Sequence, residues 1–158
     1  MSDLTHLDDR GQARMVDVGA KPQSQRRALA SAQVTMAAAT FELVCQGQAP
    51  KGDVEAVARV AAIMAAKKTA ELIPLCHPLP LDAVEVEFVR HPPDRLEVQV
   101  EARCRASTGV EMEALTAASV AALTLVDMLK GVDKTLVIGP VRLLEKEGGR
   151  SGHFRAEL

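Results

Sequence analysis

The segment Thr108–Lys130, TGVEMEALTAASVAALTLVDMLK, constrains this chain more than any other: it is a helix-length run, apolar on nearly every side, that still carries Glu111, Glu113, Asp127 and Lys130. Ala114, Leu115, Ala117, Ala118, Val120, Ala121, Ala122, Leu123, Leu125 and Val126 leave it no continuous polar face, so the helix is expected inside a core or between subunits. Charges are scarce in such places unless they are paired or take part in chemistry. At about 100° per residue, Glu113, Val120, Thr124 and Asp127 share one stripe, and Lys130 stands a turn beyond Asp127. Yet Glu113 and Asp127 are separated by roughly 21 Å of helix axis. One small ligand does not reach both from one helix. If these charges serve one site, a second copy of the chain supplies some of them and the pocket lies between subunits.

The 158 residues suit one domain large enough to bury a core. Its aromatic residues are three Phe and alanine is abundant, so the expected core is built from small aliphatic side chains that let helices approach closely. The formal charge of −2 argues against a nucleic-acid partner, which calls for a basic excess. Cys45, Cys76 and Cys104 are widely spaced with no CxxC pair, which disfavours a disulfide framework or structural zinc and fits a reducing, cytoplasmic setting. The opening MSDLTHLDDRGQ lacks the basic and apolar regions of a signal peptide. Without an uninterrupted apolar run of about 18 residues, no membrane span is expected.

Residues 1–24 are polar and without period, and read as a flexible N-terminal arm in which Met15, Val16 and Val18 have the character to dock; residues 25–158 read as a single α+β domain. From Arg26 to Met36 alanines and Val34 alternate with Arg27, Leu29, Ser31, Gln33 and Thr35, a strand pattern. A short helix is expected over 37–46, ended by Gly47, and a second from the capping Asp53 to about Leu72, with Val54, Val57, Ala58, Ala61 and Ala65 inward. Residues 84–88 and 96–104 alternate as a hairpin with one wet face. After the long helix, a strand is expected over 135–144 and a short one over 153–157. The order β-α-α-β-β-α-β is the ferredoxin-like plan with one helix doubled: an antiparallel sheet with helices packed on one face.

Three groups carry candidate chemistry. Leu75-Cys76-His77-Pro78 places a histidine in a proline-stiffened loop, where a binding or acid/base group loses little entropy on being held; the plainer reading is a loop histidine bonded to the backbone. Metal ligation by Cys76 and His77 lacks further ligands at suitable spacing. Asp127 and Lys130 stand at i and i+3, either as an ordinary helix ion pair or, in a partly dry pocket, as a pair that trades protons with a ligand. Lys51 precedes a helix N-terminus, a place that favours anions, and Lys67, Lys68, Lys146 and Arg150 lie near element ends. Gly148-Gly149-Arg150-Ser151-Gly152 lacks the phosphate-loop pattern and reads as a turn.

The blocks LTH, MVDV, KGDV, AAKKTAELIPLCHPL, TGVEMEALTAASVAAL, DMLK and VIGPVRLLEKEGGRSG, spread over residues 4–152, strongly resemble the MoaC family of molybdenum cofactor biosynthesis. The resemblance implies a lyase acting on 3′,8-cyclo-7,8-dihydroguanosine 5′-triphosphate, with cyclic pyranopterin monophosphate and pyrophosphate as products. It implies Asp127 as catalytic residue with Lys130 as its partner, and substrate contacts from Leu75, Cys76, His77, Glu111, Met112, Glu113, Lys51 and Lys146. It implies a homohexamer built as a trimer of dimers, with the active site at a dimer interface. No cofactor is required, no protein metal site is implied, and Mg²⁺ would come with the triphosphate. From Gln23 to Gln48 the match is less faithful, and no role is carried onto Lys21 or Arg26. A nucleotide- or pterin-sensing module would also use a stiff loop and lysines at element ends, and turnover separates the two.

Overall fold

The computed structural model describes residues 6–157; Leu4 and Thr5 of the LTH block, and the first five residues of the expected arm, lie outside them. The elements are β1 (Ser24–Thr35), α1 (Ala38–Cys45), α2 (Val54–Lys67), α3 (Thr69–Leu72), β2 (Leu81–His91), β3 (Arg95–Ala106), α4 (Glu111–Leu129), β4 (Val137–Glu147) and β5 (Phe154–Arg155). The strands form one antiparallel sheet in the order β2-β3-β1-β4-β5, the ferredoxin-like arrangement extended by a short edge strand.

Register explains the layering. Ala28, Ala30, Ala32 and Val34 of β1 stand opposite Ala102, Val100, Val98 and Leu96 of β3, and all eight are fully buried beneath the helices. Ala114, Ala117, Ala118, Ala121 and Ala122 of α4 meet them, small residues on both sides allowing a close approach. The intervening positions make the sheet's other face, where Arg27 bridges Glu101 at 2.7 Å and Glu145 at 3.1 Å. By length and composition α4 is apolar enough to cross a membrane, but it is packed in the core against the sheet and α2.

Several features differ from the sequence pattern. The second helix is broken at Lys68, because the Thr69 hydroxyl bonds back to the carbonyls of Ala65 and Ala66 at 3.1 Å each and takes up acceptors that a continuing helix would use. Helix α2 is also rotated from the expected stripe: Ala58, Ala62, Ala65 and Ala66 face inward, while Val57, Val60 and Met64 point out. Strand β4 runs on to Glu147, three residues past the expected end, held by pairing with β1. Residues 6–23 lie against the domain: Leu7 bridges Ala13, the carbonyl of Val16 meets His77, and the carbonyl of Lys21 accepts from the Ser107 hydroxyl.

Candidate active site

The first turn of α4 carries Glu111, Met112 and Glu113, and each goes a different way. Glu111 is paired with Lys146 of β4 at 3.1 Å. Met112 is partly exposed. Glu113 turns inward and is only 4% exposed, without an ion pair among the described residues. Burial raises its carboxyl above the ordinary range and the charge of Glu111 adds to this, while its own backbone N–H opposes.

The loop after α3 brings Leu75, Cys76 and His77 to the same end of α4. The Nε2 atom of His77 is 2.8 Å from the carbonyl oxygen of Val16. A carbonyl only accepts, so Nε2 carries the proton and Nδ1 is left to serve a ligand. Burial, aided by Glu113, pushes the Cys76 thiol up, and the same two causes push buried Cys104 up to about 11. Both sulfurs are therefore thiols at neutral pH and poor nucleophiles. Leu75, Cys76, His77, Glu111, Met112 and Glu113 line a cavity of about 360 Å³, with Val16 and Val18 also in its wall.

A second cavity of about 580 Å³ adjoins the first and shares Lys21, Thr108, Gly109 and Glu111 with it. Lys21, Arg26 and Arg150 make it cationic. These three were not among the residues expected at the site. Their signal in the sequence was the glycine run 148–149, which reads as a turn and is one, but a turn folded against Arg26.

Asp127, Lys130 and Lys51 lie at the opposite end of α4. Lys130 Nζ is 2.7 Å from Asp127 Oδ1, and Lys51 Nζ donates to the Asp127 main-chain oxygen at 2.9 Å and stands 3.9 Å from Oδ2. Hydrogen bonding to Lys130, then the charges of Lys130 and Lys51, hold the Asp127 carboxyl below its usual range, so it is ionised. Lys51 precedes α2 as expected, and its ammonium group reaches over to the C-terminal end of α4, where the helix dipole favours cations. Nor is the pair buried: within one chain Asp127 is 61% and Lys130 58% exposed. The sheet and α2 cover one side of α4, and the other side remains open, Leu123 included at 58%. Of the helix's four charges, only Glu113 is buried.

One trio with metal-ligand spacing occurs among the described residues, Glu145, Glu147 and His153. Arg27 already faces both carboxylates, at 3.1 and 3.3 Å, and His153 bonds Glu145 at 2.6 Å, so the cation there is the protein's own.

Fold and cavities define a ferredoxin-like α+β protein with a two-lobed cleft, one lobe bearing the imidazole, thiol and Glu113 carboxyl groups, the other the two guanidinium groups, with Lys21 and Glu111 shared between them. The chain belongs to the MoaC family, whose sequence pattern matches residues 15–149. It is 60% identical over 156 residues to the cyclic pyranopterin monophosphate synthase of Pelotomaculum thermopropionicum, covering 98% of this chain and 91% of that one. It is 58% identical to the synthase of the same name from Thermomicrobium roseum, covering 99% and 95%. It is 57% identical to cyclic pyranopterin monophosphate synthase 3 of Mycobacterium bovis, covering 96% and 86%.

Proposed function

We propose that the chain is a cyclic pyranopterin monophosphate synthase, a lyase of molybdenum cofactor biosynthesis that converts 3′,8-cyclo-7,8-dihydroguanosine 5′-triphosphate to cyclic pyranopterin monophosphate and pyrophosphate. What carries this reading is the identity of 57–60% over nearly the whole chain to relatives that bear this one name. The site's chemistry agrees with it. A triphosphate brings several negative charges, and the chain offers Lys21, Arg26, Arg150 and Lys146 at one end of α4 and Lys51 and Lys130 at the other. Ring rearrangement needs proton transfers, for which His77 Nδ1, Asp127 and Lys130 are the groups at hand. Closing the cyclic phosphate is the attack of a sugar hydroxyl on the innermost phosphorus: one P–O bond forms, the bond to the next phosphate breaks, and pyrophosphate leaves. That step needs alignment and charge stabilisation, with no nucleophile from the protein.

The active unit in this reading is a homohexamer, a trimer of dimers, in which the Lys51–Asp127–Lys130 cluster of one copy faces the cleft of another. The separation of the two ends supports this, as do the outward Val57, Val60 and Met64 of α2 and Leu123 of α4, apolar side chains that a single chain leaves in water. Mg²⁺ would travel on the phosphates as part of the substrate, since the groups facing the second lobe are mainly cationic. The cytoplasm, with its reducing poise, suits three free cysteines. The decisive experiment is to incubate purified protein with the cyclic triphosphate and measure pyrophosphate. Release with turnover is expected; tight binding without release would favour the sensing module instead.

A further inference from the structure

We propose that Gly148 and Gly149 are positioning residues, their missing side chains setting the Arg26 guanidinium at the edge of the second lobe as a fork for the pyrophosphate part of the substrate. This rests on the synthase reading for the identity of the ligand.

On β1 the even-numbered residues from Ala28 to Val34 face the helix layer, and Arg26 continues that row one step beyond it. There the layer has ended and the cleft begins, so the side chain turns to the lobe that it lines. It is held by main chain alone: Nε donates to the carbonyl of Ala106 and Nη2 to that of Ser107, both at 3.3 Å. No carboxylate pairs with it among the described residues, so its charge is unspent. Ser107 also fixes Lys21, by a hydroxyl bond of 3.0 Å to that residue's carbonyl. The Oγ of Ser24, which lines the same lobe, is buried without a hydrogen-bond partner.

Nη1 of Arg26 fills the space beside Gly149 that a side chain would take. A methyl there would overlap Nη1, and a methyl at Gly148 would overlap the carbonyl of Gln25 and crowd Arg26 Cδ at 3.1 Å. Both glycines have left-handed φ, 102° and 75°. Gly152 shares that backbone conformation, at 67°, but a methyl on it meets nothing. The loop therefore contains its own control. A planar guanidinium held at two N–H groups, with its other donors turned to an anionic ligand, is the arrangement that binds adjacent phosphate oxygens in a fixed orientation.

The test is calorimetric titration of full-length protein with inorganic pyrophosphate. Gly149→Ala should weaken binding about tenfold, the loss expected for one charge-assisted hydrogen bond. Gly152→Ala should stay within about twofold of wild type. The double variant Arg26→Ala/Gly149→Ala should bind no worse than Arg26→Ala alone, because Gly149 acts only through that side chain. Arg26→Lys leaves the loop unstrained and keeps the charge but loses the fork, and should also weaken binding. Wild-type affinity in Gly149→Ala or Arg26→Lys, or an additive loss in the double variant, would overturn the proposal; the lysine variant decides if the alanine one does not fold. Binding is read without turnover, so failure of the synthase assay and failure of this proposal remain separate results.

Discussion

The two ends of α4 are built in opposite ways from similar residues. At its start, segments far apart in sequence converge: Val16 and Val18, the Cys76–His77 loop, β1 and the 148–152 turn enclose a cleft around Glu111 and Glu113. At its finish, Asp127 and Lys130 stand in the open, joined among the described residues by Lys51 alone. The first end is a concavity that could hold a ligand unaided. The second holds an acid and two ammonium groups that are about half exposed or more among the described residues of one chain. Exposed ion pairs of this kind add little stability, so this cluster is better explained by what it meets than by what it stabilises. The difference teaches that one chain carries a pocket and a set of reactive groups but does not itself bring them together.

The sharpest way to break that comparison is to remove the open cluster. Asp127→Ala and Lys130→Ala should each abolish measurable pyrophosphate release, a loss of about 10²–10⁴ in rate for a positioned acid/base group, while the assembly persists by light scattering. The double variant should be scarcely worse than either single one, since the two act as a unit. Appreciable turnover in either would return the pair to the status of a surface ion pair.

Mixing inactive variants asks whether the ends belong to different copies. Asp127→Ala combined with His77→Ala should regain activity, since mixed dimers contain a site with both residues intact; random mixing predicts about a quarter of wild-type sites. Asp127→Ala combined with Lys130→Ala should regain none, because both residues come from one helix. Silence in the first mixture, with subunit exchange verified, would mean that each chain completes its own site.

A smaller effect is expected at Lys51. It touches Asp127 mainly through the main-chain oxygen, at 2.9 Å, with the carboxylate further off at 3.9 Å. It therefore offers charge to a ligand more than it tunes the acid. Lys51→Ala should raise KM about tenfold with a smaller change in kcat. A collapse of kcat at unchanged KM would instead make Lys51 a proton donor.

How much of this was legible depended on whether a residue's neighbours are local. Period-two alternation gave β1 and the β2–β3 hairpin, and the buried alanines gave α4, because the sheet and helix periods are written along the chain. The break at Lys68 was hidden because it comes from one hydroxyl turning back on its own helix. The stripe of α2 was misjudged at Val57, since close packing on α4 selects alanine over the larger side chain. Leu75, Cys76, His77, Met112, Glu111 and Glu113 do share one cavity. Arg26 and Arg150 escaped, because a turn reveals what it is folded against only in three dimensions. Whether Asp127 and Lys130 are an ordinary ion pair or groups of a dry pocket is likewise unwritten in the sequence, because an apolar helix does not specify what packs over its charged end.

The smallest effect probes the closed end through pH. Burial raises the Glu113 carboxyl, so the folded state holds its proton more tightly than the unfolded state does. Near pH 4 the group is largely protonated in both states and costs little. As pH rises towards and through the raised folded value, the unfolded chain ionises first and folding loses stability. Glu113→Gln stays neutral throughout and escapes that loss. Its melting temperature should match wild type near pH 4 and exceed it by roughly 2–4 °C at neutral pH, the size expected for a modest change in a domain of this length. The sign also bears on the assembly. Glu113 lines the first lobe but is only 4% exposed there, so without a cation brought to it by a partner the gain should persist in the oligomer. A variant that melts lower than wild type at neutral pH would mean the reverse: that a cation from the other end of a neighbouring α4 pairs with Glu113, holds it ionised, and makes the closed end as incomplete as the open one.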